Sequence, residues 1–140
     1  MSAETEELLY HGPQNHCFGC GQANPVGLQL HFEIAEDHSV VCQAVVSAQF
    51  EGPPGYLHGG IIATLLDEAM SKANRARGVT AMTRQMQVEY LRPVPSGAAI
   101  RIEGQVTRSE GRKHWTEARI RSAEGTVLAH ASGLFIAIQR

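Results

Sequence analysis

One segment in the middle of the chain, from Gly60 to Arg77, carries a helical pattern that no other part of the sequence repeats. Its apolar residues recur at spacings of three and four, and Gly78 follows as a natural C-terminal stop. The apolar positions are Ile61, Ile62, Leu65, Leu66, Ala69, Ala73 and Ala76. A domain built on this chain therefore has one long helix, and the other elements must bury its apolar face.

Segments typical of β-strands precede and follow this helix. Turn-forming residues such as Pro, Gly and Ser separate them. The predicted strands cover about 28–34, 40–46, 80–90, 98–107, 114–122 and 127–138. Strands that surround a single apolar helix indicate an α+β domain of order β-β-α-β-β-β-β, in which an antiparallel sheet wraps around the helix.

Residues 1–27 show no sustained periodicity and are predicted to form an irregular lead-in to a single domain over 28–140. With 140 residues, 43% of them hydrophobic, the chain can build one core. The net charge of -2 provides no basic field for nucleic acid. The first residues do not form a secretory signal, and no stretch reaches the length of a membrane span. We therefore expect a cytoplasmic protein that binds neither nucleic acid nor membranes.

The three cysteines are Cys17, Cys20 and Cys42. An odd number without an export signal argues against a disulfide framework. The segment 16–20, His-Cys-Phe-Gly-Cys, resembles half of a zinc or redox site. A closed zinc site needs about four ligands, and no second paired cluster follows. We therefore expect no metal site and no cofactor, with a ligand borrowed from Cys42 or His11 as the alternative left open.

Two acidic residues, Asp67 and Glu68, lie at the centre of the predicted helix, where a helix packed under a sheet is expected to carry no charge. Glu68 has Lys72 at i+4 as an ion-pair partner. Asp67 shares its helix face only with small polar residues. We interpret Asp67 as a carboxylate in a modest polar pocket, and a solvated helix face is the alternative interpretation.

The sequence His58-Gly59-Gly60 lies where this helix begins. Peptide N–H groups of a first helical turn have no intrahelical acceptor, and the positive end of the helix dipole points outward there. Such a start can bind a phosphate or hold the oxyanion of an acyl-transfer reaction. A plain turn, with His58 as a polar N-terminal residue, is the alternative.

The segment 55–60, Gly-Tyr-Leu-His-Gly-Gly, is followed by Asp67 nine residues after the histidine. This pattern resembles the signature of hotdog-fold thioesterases of the phenylacetic-acid-pathway (PaaI-like) type. Segment 50–55, with Thr83, resembles the related mitochondrial acyl-CoA thioesterases. The resemblance implies a hotdog fold and hydrolysis of acyl-CoA to free acid and CoA. Gly52 departs from the family pattern, because many members have asparagine six residues before the histidine.

The resemblance also implies roles for individual residues. Asp67 would act as general base or nucleophile, and the Gly59 N–H would be the oxyanion donor. His58 would orient the loop or the substrate, and Thr83 would position the attacking water. Basic side chains would meet the phosphates of CoA. The predicted substrate contacts are Gly60, Glu68, Arg84, Arg92, Arg108, Arg112 and Lys113.

Helix geometry adds an expectation about assembly. Gly59 and Asp67 are eight residues apart, so at ~1.5 Å per residue they stand roughly 12 Å apart along the axis. They cannot both reach one thioester carbonyl. A twofold-related chain with an antiparallel helix would bring its Asp67 opposite Gly59. We therefore expect a homodimer with active sites shared between chains, and further pairing into a homotetramer stays open.

Two other classes of function remain open at this level. A hotdog dehydratase or hydratase would also act on acyl thioesters, but it needs an acid-base histidine opposite the carboxylate. A non-catalytic acyl-CoA-binding protein would bind the same ligand without turnover. Release of free thiol distinguishes the hydrolase from both.

Overall fold

A computed structural model describes residues 12–138 and shows a six-stranded antiparallel sheet packed on one long helix. The strands are β1 (Glu33–Ile34), β2 (Val40–Val45), β3 (Ala81–Tyr90), β4 (Ala99–Glu110), β5 (Lys113–Ser122) and β6 (Val127–Ala137), and the helix is α1 (Gly59–Arg75). The strand order in the sheet is β1-β2-β4-β5-β6-β3. The predicted α+β class and element order are therefore confirmed. No helix within these residues is long and apolar enough to cross a membrane.

The two faces of the sheet differ in polarity because buried and exposed residues alternate along its strands. In β4, Ile100 and Ile102 are buried against α1, whereas Arg101 and Gln105 point outward. The helix contributes a matching apolar stripe. Its fully buried apolar residues are Leu65, Leu66, Ala69, Met70 and Ala73. The core is thus one layer between the inner face of the sheet and one side of the helix.

Gly104 in β4 sets the distance between helix and sheet. A Cβ atom added there would lie 2.4 Å from the backbone oxygen of Ala69 in α1. Real Cβ atoms do not approach an oxygen so closely, so only glycine allows the strand to lie directly on the helix backbone. This contact fixes the depth at which the middle of α1 sits under the sheet.

The first predicted strand, 28–34, is wrong in extent, since only Glu33 and Ile34 pair with β2. The N–H groups of Leu28 and Leu30 donate instead to carbonyls of the lead-in, at Phe18 (2.7 Å) and Gly19 (2.9 Å). Gln29, with φ of 50°, interrupts the extended backbone of this segment, whereas Leu30 and Phe32 are buried and His31 and Glu33 exposed, as the period-2 pattern predicts. Residues 12–27 contain neither helix nor strand, and residues 1–11, including His11, lie outside the described part of the chain.

The Gly104 contact predicts a stability difference between two neighbouring positions. We expect Gly104→Ala to lower the free energy of unfolding by about 1–3 kcal/mol, because the methyl group overpacks the helix contact. Gln105→Ala, on the outer face, should change it by less than about 0.5 kcal/mol. Denaturant unfolding of both variants at one protein concentration measures the difference. Equal effects would contradict the close helix–sheet contact.

Candidate active site at the helix start and centre

The chain enters α1 through a loop that is anchored on both sides. Leu57 is buried, and its N–H donates to the Val94 carbonyl (2.9 Å). The His58 N–H donates to the Phe50 carbonyl (3.0 Å). Gly52 lies directly against this turn, since an added Cβ would be 3.3 Å from the His58 Cα. A larger residue there would crowd His58, which gives a physical reason for glycine where many PaaI-like members have asparagine.

His58 caps the helix with its side chain. Its Nδ1 accepts the Gly60 N–H (2.9 Å), and its backbone carbonyl accepts the N–H groups of Ile61 and Ile62. Because Nδ1 is an acceptor, the neutral ring carries its proton on Nε2. Within the described residues, the Gly59 N–H has no hydrogen-bond acceptor. The cap therefore uses the second glycine N–H and leaves the first one available to a ligand.

Tyr90, at the end of β3, closes over the same turn. Its hydroxyl donates to the Gly59 carbonyl (3.0 Å). Its ring packs against Gly59, since a Cβ atom added to this glycine would lie 3.8 Å from Tyr90 Cε1. The peptide between Gly59 and Gly60 is thus held at its oxygen by Tyr90 and at its N–H by His58. The sequence does not predict this contact of Tyr90 with Gly59. The two residues are 31 positions apart, so no local sequence pattern predicts this hydrogen bond.

Asp67 and Thr83 meet at the middle of the helix. The Thr83 hydroxyl donates to Asp67 Oδ1 (2.6 Å), so the structure brings together two of the predicted catalytic residues. The pairing of β3 with β6 shifts register between Thr83 and Gln85, which leaves Arg84 in a bulge. Bulges change the direction of neighbouring side chains and are frequent beside active sites. Asp67 is half-buried, and Thr83 is exposed on the edge strand.

The surroundings of Asp67 change its proton affinity. Partial burial raises the pKa of Asp67 above the ordinary value of 3.8, because the charged form is poorly solvated. The hydrogen bond from Thr83 opposes this rise, and the neighbouring charge of Glu68 adds to it. A carboxylate with a raised pKa accepts a proton more readily than an exposed one.

Glu68 lies on a different side of α1 from Asp67 and is 8% exposed. Its carboxylate accepts a hydrogen bond from the Cys17 thiol (3.2 Å) and pairs with Lys72 (3.6 Å). The predicted i+4 ion pair is therefore confirmed, although it is buried rather than exposed. The structure does not bring Glu68 to Asp67 and Thr83, and its role in substrate binding stays a prediction.

The basic residues predicted to meet CoA fall at two ends of the sheet. Arg112 and Lys113 lie at the β4–β5 turn. Lys113 pairs with Ile136 in β6, and Ile136 pairs with Met82, the residue before Thr83 in β3. Two strand spacings are about 10 Å. Arg92 lies at the other end, where its N–H binds Leu128 just beyond Tyr90. These side chains do not form one cluster within a single chain.

Arg108 is already engaged by its neighbours. Its guanidinium pairs with Glu110 and stacks on Trp115, with its Cζ 4.2 Å from the ring centroid. Arg112 donates through Nε to the Ala137 carbonyl (3.1 Å). A groove of about 230 Å³ on the outer sheet surface, bordered by Arg101 and Arg121 among others, is lined by none of the predicted site residues. The candidate site therefore lies along α1 and the edge strand β3.

Comparison with known proteins identifies the family. A family model described as "Thioesterase superfamily" matches residues 54–129, which include the helix start, Asp67 and Thr83. The chain belongs to the thioesterase superfamily. The matched region runs from the loop before α1 to the beginning of β6, so it covers the whole candidate site of this thioesterase-superfamily chain.

One curated relative and one solved structure support this assignment, and a second solved structure shares the fold. The chain is 36% identical over 101 residues to acyl-coenzyme A thioesterase THEM4 of Xenopus laevis, covering 71% of this chain and 46% of that protein. It spans about half the length of the curated relatives it matches. The crystal structure of RHA08564, a thioesterase superfamily protein, has 31% identity and a TM-score of 0.83, covering 91% of this chain and 64% of that one. Escherichia coli PaaI has the same fold, with a TM-score of 0.74 at 21% identity over 80% of this chain and 81% of PaaI. The predicted hotdog fold and family resemblance are confirmed.

The Asp67–Thr83 pair leads to a titration experiment on this thioesterase-superfamily chain. We expect Thr83→Val to raise the pKa of Asp67 further, because the lost hydroxyl had stabilised the charged carboxylate. Thr83→Ser keeps a donor and should leave the pKa near that of the unmodified chain. Carbon NMR of the Asp67 carboxyl group, followed against pH in folded protein, gives both values. A lowered or unchanged pKa in Thr83→Val would show that this hydrogen bond does not act on Asp67.

Proposed function

We propose that the chain hydrolyses acyl-CoA thioesters to free acid and CoA. The observation that carries the proposal is the half-buried Asp67 carboxylate, hydrogen-bonded by Thr83, on the same helix whose first turn leaves the Gly59 N–H available. A carboxylate and an oriented N–H donor are the two groups that water attack on a thioester requires. Membership of the thioesterase superfamily and identity to proteins named acyl-coenzyme A thioesterases support it.

The proposed reaction proceeds by general base catalysis. Asp67 accepts a proton from a water held by Thr83 while the water oxygen attacks the thioester carbonyl. The carbonyl oxygen becomes negative and is stabilised by the Gly59 N–H at the positive end of a helix. When the tetrahedral intermediate collapses, the carbon–sulfur bond breaks and the CoA thiolate leaves. Asp67 returns the proton to this sulfur, so the enzyme is restored.

The two ends of the Gly59–Gly60 peptide have a role in this scheme. The bonds from Tyr90 and to His58 hold the turn in one orientation, so the Gly59 N–H does not reorganise when the oxyanion forms. His58 is an exposed residue, and its second ring nitrogen is proposed to contact the substrate. These contacts support the predicted role of His58 in orienting the loop or the substrate.

The acyl-CoA phosphates need cationic partners, and the proposed ones are the exposed Arg84, Arg112 and Lys113 at the Thr83 end of the sheet. Arg92 lies at the other end of the sheet, near the helix start. In a site shared between two chains it would be a further cationic partner for the CoA phosphates. Arg108 is held by Glu110 and Trp115, so it would contribute through its charge at the edge of the site. Gly60 is retained as a proposed substrate contact. Glu68 is left out of the proposed site, because its carboxylate is buried against Cys17 and Lys72 rather than beside Asp67.

We propose that two chains complete each active site. The free edge of β3 has no strand partner within residues 12–138, and most side chains of β3 are exposed. Met82 is 62% exposed beside Thr83, and Tyr90 is 53% exposed at the other end of the strand. A ten-residue open edge with apolar side chains favours pairing with a second copy. A twofold axis there would place Asp67 of one chain opposite Gly59 of the other.

The setting proposed for this enzyme is the cytoplasm. All three cysteines are free thiols, and two of them are buried. Free thiols are typical of a reducing compartment. The proposed substrate, acyl-CoA, is a water-soluble thioester that the cytoplasm contains.

Substitution of Asp67 tests the proposed chemistry. Asp67→Asn keeps the size of the side chain and should lower kcat for thiol release from acyl-CoA by about two to four orders of magnitude. Thr83→Ala should cost less, because its hydroxyl only positions the water. Release of CoA thiol from short, long, branched and aromatic acyl-CoAs measures the activity and the acyl preference together.

Three outcomes would contradict this proposal. An Asp67→Asn variant within a few fold of wild type would remove Asp67 from the mechanism. An enoyl absorbance change without thiol release would indicate a dehydratase or hydratase. Tight acyl-CoA binding without any turnover would indicate a binding protein.

Mixing of two inactive variants tests the shared site. Asp67→Ala lacks the base, and Gly59→Pro lacks the oxyanion N–H. Proline suits this position because it is the first helical residue and His58 before it is extended (φ -61, ψ 141). Each homodimer should be nearly inactive, but a mixed dimer has one intact site. Random pairing after co-refolding should restore about a quarter of wild-type activity.

The control for this mixing is the double variant Gly59→Pro/Asp67→Ala paired with Asp67→Ala, which cannot form an intact site. Native mass spectrometry of tagged chains shows whether mixed dimers form. If they form and no activity returns, Asp67 and Gly59 do not act across a chain boundary.

A further inference from the structure

A second cluster of reactive side chains lies on a different side of α1 from the Thr83 contact. Donor atoms of Cys17, Cys20 and Glu68 all lie within 4.8 Å of one another. The Cys17 thiol bonds Glu68 Oε1 (3.2 Å), and Lys72 Nζ bonds the sulfur of Cys20 (3.0 Å). Nothing in the proposed hydrolysis uses these sulfurs. The cluster joins the lead-in to the helix across more than fifty residues of sequence.

The lead-in loop is shaped to receive the carboxylate. A Cβ atom added to Gly19 would lie 2.2 Å from Glu68 Cγ, so only glycine lets the loop lie against this side chain. The next glycine, Gly21, donates its N–H to the Cys17 carbonyl (2.8 Å) and closes the turn. Two sulfurs and a carboxylate are thereby directed into one small space.

One donor atom in this space is not satisfied. Glu68 Oε2 is buried and has no hydrogen-bond partner, and its ion-pair contact with Lys72 is long, at 3.6 Å. Burying a carboxylate oxygen without a hydrogen bond costs free energy. A cation placed between this oxygen and the two sulfurs would satisfy it.

The charges of the cluster balance when a divalent cation is bound. Two thiolates and one carboxylate carry three negative charges, and Zn²⁺ neutralises two of them. The ammonium of Lys72, which already contacts the sulfur of Cys20 and is 3% exposed, neutralises the third. Lys72 therefore acts as a counter-ion beside the metal rather than as a ligand. The metal-free cluster, with both thiols protonated, is also neutral.

We propose that Cys17, Cys20 and Glu68 bind a structural Zn²⁺ ion that fastens the lead-in to α1. Two sulfurs and one carboxylate oxygen would provide three donors, and a water molecule would complete the four that tetrahedral zinc prefers. The expectation of no metal site was based on the missing second pair of cysteines and histidines. A glutamate 48 positions beyond Cys20 on a helix gives no spacing signal, so the sequence alone did not suggest it as the third ligand.

Binding requires the release of two thiol protons to solvent. Zinc coordination deprotonates thiols. Zinc affinity should therefore increase with pH, and acid should release the metal.

Metal content and Co²⁺ spectroscopy on the full chain test the site. Protein purified without chelators and dialysed against dilute Zn²⁺ should retain about one zinc per chain. Co²⁺ exchanged into it should give the intense visible bands of a tetrahedral site and a thiolate charge-transfer band. Cys20→Ser and Glu68→Gln should each weaken binding at least about tenfold. Cys42→Ser, a buried cysteine outside the cluster, should retain one zinc per chain.

Two results would overturn the proposal. Wild-type protein that holds no zinc after dialysis and shows no thiolate–Co²⁺ band contains a metal-free hydrogen-bonded cluster, as the cysteine spacing had led us to expect. Zinc that persists in folded Cys20→Ser protein is bound elsewhere. Because the Co²⁺ spectrum is read from the wild-type chain, the test stands even if a variant fails to fold.

Discussion

The packing of a single helix against one face of a sheet determines where every functional group of this protein lies. At Gly104 the sheet touches the backbone of Ala69, and the absence of a side chain at this position sets how deeply α1 lies under the sheet. Its centre then meets β3 at Thr83, and its first turn meets the end of the same strand at Tyr90. One strand thus contacts both the predicted base and the predicted oxyanion donor, and both contacts depend on the depth of one helix.

The same geometry separates these two groups. A rigid helix keeps its first turn and its middle roughly 12 Å apart, which is too far for one carbonyl group. The chain also leaves the long edge of β3 without a partner among the described residues. The proposed twofold axis at that edge would account for both features, because it would pair the two β3 edges and exchange the halves of the site. Catalysis and assembly would then depend on the same strand.

Local patterns made much of this fold predictable. The three-and-four spacing located α1 to within two residues, and Gly78, with φ of 78°, ends it as expected. The Asp67–Thr83 contact followed from a family motif, not from periodicity. The contacts that sequence reasoning missed are long-range. Leu28 bonds the lead-in because tertiary packing competes with strand pairing, and the Tyr90 bond to Gly59 depends on the register of β3.

Asp67 and Glu68 show how one turn of helix separates two neighbouring carboxylates. About 100° of rotation per residue directs Asp67 to the open edge strand and Glu68 into the lead-in. Asp67 has a hydroxyl donor and access to solvent, so it can exchange protons with water. Glu68 faces an ammonium and two thiols in a closed space. Its negative charge adds to the rise that burial causes in the pKa of Asp67. The residue that anchors the lead-in therefore also makes its neighbour a stronger base.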